Sequence, residues 1–184
     1  PYYNKPTQAG LEAHYRAAAD VGLPVVMYNV PGRTSCAMDV DTIAALADHP
    51  NIVAIKEATA DIAFGSEIHR RCGDRLALLS GDDFTALALW AVGGSGSISV
   101  TANIAPRQCA AMWDAFSAGD LHEARRLHER MLPLHEAMFV ETNPIPVKLA
   151  LSMKGRCRPQ LRLPLTPATE GTRTRVADVL DLSD

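Results

Sequence analysis

Apolar residues along the chain fall into two kinds of run. Residues 24–29, 52–56, 76–80 and 96–100 form short blocks with apolar residues at nearly every position. Between them lie longer stretches in which apolar residues return at helical spacing. The blocks predict strands and the stretches predict helices. Residues 10–21 are alanine-rich, with Leu11, Tyr15 and Ala18 at helical spacing, and Gly22 follows as a stop. Residues 39–48 predict a helix with Asp39 or Asp41 as N-cap. Further helices are predicted over 61–72, closing at Gly73, and over 82–92, capped by Asp82. After Val100 the strand pattern stops. Helices are predicted over 106–118, over 121–139 with an interruption at Pro133, over 145–153 and over 169–182.

Strands apolar on consecutive residues, not on alternate ones, belong to a parallel sheet covered on both faces. Their spacing, about 20 to 28 residues, fits repeated β-α units. Two architectures satisfy this, a (β/α)8 TIM barrel and an open doubly wound sheet. Polar residues close each block: Tyr28-Asn29, Lys56-Glu57, Ser80-Gly81-Asp82-Asp83 and Ser99. Open sheets concentrate ligands at one switch point, whereas barrels use the C-terminal ends of all their strands. The expectation is therefore an α/β chain in which residues 1–120 are part of a (β/α)8 barrel and residues 121–184 a C-terminal helical region.

Composition narrows the function. Hydrophobic residues make up 47% and charged residues 21%, with a net charge of −3. That is a globular composition without the basic footprint of a nucleic-acid binder. No apolar run approaches the roughly 20 residues of a membrane span. Cys36, Cys72, Cys109 and Cys157 form no C-x-x-C pair and are expected to be reduced cytoplasmic thiols, mostly core filler. His14, His49, His69, His122, His128 and His135 lack metal-ligand spacing and are expected on solvated helices, so no metal is expected. Gly93-Gly94-Ser95-Gly96 lacks the lysine of a phosphate loop and reads as a tight turn into the fourth strand.

Lys56 is the most informative residue. It ends an apolar strand, where desolvation by Ile52, Val53 and Ile55 would favour its neutral amine, and a neutral amine can attack a keto acid to form a Schiff base. The alternative is a structural ion pair with Glu57, weakened because neighbouring strand residues face opposite ways. Tyr28 ends the preceding strand and could relay protons, or be a half-buried core aromatic. Arg33, on a Pro31-Gly32 turn, could hold a substrate carboxylate, or be an ordinary solvated residue. On the residues alone both roles stand for each.

Several motifs in order, Tyr2-Tyr3-Asn4-Lys5-Pro6, Tyr28-Asn29-Val30-Pro31-Gly32-Arg33-Thr34, Ile55-Lys56-Glu57-Ala58, Ser80-Gly81-Asp82-Asp83, residues 93–103 and Asn143-Pro144-Ile145-Pro146-Val147-Lys148, resemble the dihydrodipicolinate synthases, within the pyruvate-dependent aldolases. The resemblance implies a (β/α)8 barrel with a helical appendage, and condensation of pyruvate with aspartate semialdehyde in lysine and diaminopimelate biosynthesis. Lys56 would carry the imine, Tyr28 the proton relay and Arg33 the aldehyde's carboxylate. Gly81 and Ile98 match backbone positions near pyruvate. Tyr3 matches a tyrosine sent across a dimer interface into the partner's site, and Tyr2 an aromatic at that interface beside a lysine feedback pocket. A homo-oligomer, dimer or tetramer, is implied, and no cofactor. The resemblance also makes this chain strands 5–8. The family's first strands, with a Gly-Gly-Thr-Thr loop that completes the relay, have no counterpart, so missing or separately supplied sequence is expected. Another Schiff-base aldolase, of the N-acetylneuraminate or keto-sugar-acid type, is the alternative.

Overall fold

A computed structural model of the chain describes residues 2–183; Pro1, whose place at the head of the chain prompts the expectation of missing sequence, and Asp184 lie outside the described residues. The chain forms two compact units, Pro1–Ile98 and Ser99–Asp184.

In the first unit, helix α1 (Gln8–Ala19), strand β1 (Val25–Asn29), a single helical turn α2 (Pro31–Thr34), helix α3 (Val40–Leu46), strand β2 (Ile52–Glu57), helix α4 (Ile62–Cys72), strand β3 (Ala77–Ser80), helix α5 (Ala86–Ala91) and strand β4 (Gly96–Ser97) follow one another. The sheet is four-stranded, in the order β1-β2-β3-β4, with every pairing parallel. That is the parallel βα pattern the sequence predicts. The sheet establishes the strands as consecutive neighbours; it does not itself number them as strands 5–8 of a ring.

Helix ends follow local chemistry. The Thr7 hydroxyl accepts the Gly10 amide at 3.2 Å, so α1 starts two residues before the predicted position. Asp61 caps α4 by accepting the Phe64 amide at 2.9 Å. Asp82 does not cap α5: its carboxylate takes the Thr85 amide at 2.9 Å and hydroxyl at 2.7 Å, holding a turn that delays the helix to Ala86. The fourth strand is shorter than predicted, because after Ser97 the backbone leaves the sheet for a 3-10 turn over Thr101–Asn103. Gly93 has φ +110, and a Cβ there would lie 2.3 Å from the His69 ring, so the glycine of this turn has both a conformational and a steric reason.

Burial separates the two faces of the sheet. Met27, Ile55 and Leu78 are register partners across three strands and are at most 1% exposed. They join Leu11, Ile43, Leu46, Ile52 and Ile68 in one core beneath the helices. Each such side chain contributes about 1.5–3 kcal/mol on burial. The opposite face is open within this chain: Val26, Tyr28 and Val53 are 46%, 45% and 41% exposed. The expectation of two covered faces is met on one face here. The apolar residues of the other face are those that made each block read as continuous.

In the second unit, α6 (Pro106–Ser117) packs on α7 (Leu121–Met138), and α9 (Glu170–Val179) packs on α7 and on α8 (Ile145–Met153). The two compact units divide after Ile98, and α6 finds its packing partner in α7. Pro133 lies inside α7 and does not interrupt it. A mid-helix proline costs about 3 kcal/mol. Met131, Leu134, Ala137 and Met138, all 0% exposed, anchor the turns on both sides of it and outweigh that cost. Glu141 accepts hydrogen bonds from the Thr172 and Thr169 hydroxyls and from the Thr169 amide, which ties the start of α9 to the segment after α7. Those bonds, that of Thr172 foremost, hold its carboxyl below the usual carboxylate range. Among the described residues no helix is long and apolar enough to cross a membrane.

Candidate active site

Parallel register sets the site. β1 and β2 pair Tyr28 with Lys56 and, one residue on, Asn29 with Glu57. Successive residues alternate faces. Tyr28 and Lys56 therefore share the open face, while Asn29 and Glu57 are 1% and 3% exposed on the helix side.

The Lys56 Nζ stands over the Tyr28 ring, 4.2 Å from its centroid. A cation over a tyrosine face is attracted by the ring quadrupole. The contact sets an amine against a phenol ring on an open surface, and these are groups that can serve as a nucleophile and a proton donor. The neighbours of Lys56 differ from those expected. Ile52 and Ile55 belong to the helix-side core, and Val53 is 41% exposed. The irregularity in register between Val25 and Val26 places Ile52 on the helix side.

The alternative of an ion pair between Lys56 and Glu57 is not realised. Glu57 Oε2 accepts Asn29 Nδ2–H at 2.7 Å, and Oε1 accepts the Thr59 amide at 2.5 Å. Asn29 Oδ1 in turn accepts the Met38 amide at 3.0 Å. The carboxylate is satisfied on the helix side, away from the amine.

Beyond the strand ends the ladder continues. The Ala58 amide donates to the Asn29 carbonyl at 3.0 Å, that of Gly81 to Glu57 at 2.6 Å, and that of Ile98 to Ser80 at 2.8 Å. Gly81 adjoins the lysine stem: a Cβ there would lie 2.8 Å from Lys56 Cε and 2.8 Å from Ala58 Cβ. Only glycine lets the stem pass at this distance. Ile98 follows β4 and is 42% exposed. Ser80-Gly81-Asp82-Asp83 is a turn closed by the Ser80 hydroxyl, which donates to the Asp82 carbonyl at 2.8 Å.

Arg33 lies in α2, which begins two residues after β1, with Pro31 at its first position and the Arg33 amide donating to the Val30 carbonyl at 2.8 Å. It is exposed, at the same end of β1 as Tyr28. The structure thus brings together Lys56, Tyr28 and Gly81, with Arg33 and Ile98 on flanking segments. Tyr2 and Tyr3 are 78% and 89% exposed and stand in solvent within this chain.

Other expectations shift. His135 is 1% exposed inside α7, its Nδ1 2.7 Å from the Thr101 hydroxyl, so it is a core histidine and not a solvated one. His128 is half-buried, and burial pushes its imidazole below the ordinary histidine range. Of the cysteines only Cys72 is buried, and Cys157 is exposed. Among the described residues no group of three His, Cys, Asp or Glu could hold a metal ion. The residues that sequence reasoning missed are Asn29 and Glu57. They stand beside Tyr28 and Lys56 at the polar strand ends, and the alternation of faces assigns them together to the buried side.

Known proteins resemble this chain over nearly its whole length. A family model described as the dihydrodipicolinate synthetase family matches residues 1–182. The 4-hydroxy-tetrahydrodipicolinate synthase of Thermodesulfovibrio yellowstonii is 54% identical over 181 residues, covering 98% of this chain and 62% of that protein. The crystal structure of dihydrodipicolinate synthase from Aquifex aeolicus matches with a TM-score of 0.96 at 43% identity, over 98% of this chain and 62% of that one. The chloride-inhibited dihydrodipicolinate synthase from Acinetobacter baumannii, solved with pyruvate, matches with a TM-score of 0.95 at 45% identity, over 99% and 63%. The chain spans about three fifths of the length of these relatives.

Proposed function

The chain belongs to the dihydrodipicolinate synthetase family, and from that premise we propose that the complete protein condenses pyruvate with aspartate semialdehyde through a Schiff base on Lys56, giving 4-hydroxy-tetrahydrodipicolinate for lysine and diaminopimelate synthesis. The observation that carries the reading is the Lys56 amine held over the Tyr28 ring at the open strand ends. In the mechanism, the Lys56 amine gives up its proton to solvent and adds to the pyruvate ketone, and water leaves as the imine forms. Loss of a methyl proton gives the enamine, whose carbon attacks the aldehyde. The Tyr28 hydroxyl, on the ring that holds the amine, relays the methyl proton to the aldehyde oxygen as the carbon–carbon bond forms. Gly81 leaves room for the lysine stem and, with Ile98, offers backbone to the pyruvate. Arg33 holds the carboxylate of the aldehyde by charge-assisted bonds.

Three further assignments rest on the family. The four strands form one continuous arc of a (β/α)8 barrel, the part of the relatives that this chain does not match supplying the remaining strands. The barrel region is taken over residues 1–120 and the helical region over 121–184. The working protein is a homo-oligomer, in which Tyr3 enters the partner's site and Tyr2 lines the same interface. The support is that two tyrosines stand 78% and 89% exposed side by side, and interfaces are enriched in such residues. A cytoplasmic location is supported by cysteines that are free among the described residues.

The reading is tested by incubating the purified complete protein with both substrates. Pyruvate and aspartate semialdehyde should disappear in equal amounts as the cyclic product forms. Consumption of pyruvate with a polyhydroxylated aldehyde but not with aspartate semialdehyde would overturn it.

A further inference from the structure

The buried pair behind the site has no part in the chemistry above. A carboxylate taken from water is expensive, and apolar residues of the same volume would fill the space at lower cost. This one is 3% exposed, and all of its partners lie in segments that carry site residues. Asn29 follows Tyr28 on β1, and Glu57 follows Lys56 on β2. The 2.7 Å bond between their side chains clamps the two strands one residue beyond the point where they present phenol and amine. Asn29 Oδ1 also holds the Met38 amide, which anchors the far end of segment 30–38, the stretch that carries Arg33. Glu57 Oε1 holds the Thr59 amide and so fixes the turn containing Ala58, which would meet a side chain at Gly81.

We propose that Asn29 and Glu57 are positioning residues, a buried hydrogen-bonded clamp that sets the spacing of Tyr28 and Lys56 and the seat of the Arg33 segment. The proposal rests on the Schiff-base reading of Lys56. Neither residue touches substrate. The clamp acts by holding strand ends that would otherwise splay, and a misplacement of about 1 Å can cost on the order of a hundredfold in rate.

The geometry offers a test by exchange. Asn29→Asp sets two carboxylates against each other. Glu57→Gln leaves one acceptor for two donors. Together they rebuild every bond. The carboxylate now at position 29 accepts from the Met38 amide and from the side-chain amide now at position 57, whose own carbonyl accepts from Thr59. Borohydride trapping of the pyruvate imine is followed in the complete protein, as a rate per folded molecule, with folded fraction read by near-ultraviolet circular dichroism. Each single variant should trap at least about tenfold more slowly, and the double variant within about threefold of wild type. A purely structural role would change the melting temperature and leave the rate per folded molecule alone; singles that trap at the wild-type rate overturn the proposal. If a single variant does not fold, the double variant decides: wild-type stability with trapping still slowed about tenfold overturns it. No adduct in wild type removes the Schiff-base reading itself, and the clamp with it; an adduct in wild type with unaffected singles removes the clamp alone.

Discussion

Tyr28 and Lys56 are register partners on neighbouring parallel strands, and the lysine amine lies 4.2 Å from the centre of the tyrosine ring. On the proposed mechanism the ring and its hydroxyl have separable duties, one holding the amine and the other moving protons.

Tyr28→Phe keeps the ring and removes the hydroxyl. It should still form the pyruvate adduct, while turnover falls by about a hundredfold, the usual scale for a lost proton relay. Tyr28→Leu should slow adduct formation as well. Adduct formation and kcat are measured side by side, and an equal loss of both in Tyr28→Phe would show that the two duties are not separable.

Gly81 is not in the left-handed region, so its demand is purely for space. Gly81→Ala would set a methyl 2.8 Å from Lys56 Cε and from Ala58 Cβ. Overpacking of this kind costs about 1–3 kcal/mol of stability. Adduct formation should fall by at least about tenfold as the amine is displaced. Thermal melts and trapping rates check both, and a variant with wild-type trapping would show that the lysine stem can move aside freely.

Much of this was legible in the sequence. The β1, β2 and β3 blocks were placed to within a residue, because a strand under helices is continuous in apolar residues and stops at its polar end. Lys56, Tyr28 and Gly81 stand at those ends. What was not legible depends on partners distant in the chain. Asn29 and Glu57 are 28 residues apart, and only the register of two strands reveals that they meet. His135 looks like any helix histidine until α7 shows which face is covered. Pro133 reads as a break because the packing that overrides it is tertiary.

Arg33→Ala should raise the KM for aspartate semialdehyde far more than that for pyruvate. A charge-assisted contact is worth about 1.5–3 kcal/mol, which corresponds to roughly a ten- to hundredfold change. Steady-state kinetics with each substrate varied in turn gives the two values. Equal increases would remove Arg33 from the aldehyde's carboxylate.

Glu141 gives the second unit a pH-dependent tie. Its folded-state pKa lies below the ordinary 4.5. The unfolded chain therefore binds the proton more readily, so the tie's stabilisation is full above about pH 4.5 and is lost as pH falls through the lower folded value. Glu141→Gln should melt below wild type at about pH 7, and the gap should close as the medium is made more acidic than about pH 4.5. A gap that stays constant with pH would mean that the charge of Glu141 does not contribute.

Lys56 is the proposed nucleophile, and the pyruvate adduct identifies it directly. The complete protein is treated with pyruvate and borohydride, digested, and mapped by mass spectrometry. One reduced pyruvate adduct is expected on the peptide containing Lys56, and none in Lys56→Arg, where the guanidinium stays protonated. An adduct on any other lysine, or an adduct that persists in Lys56→Arg, would contradict it.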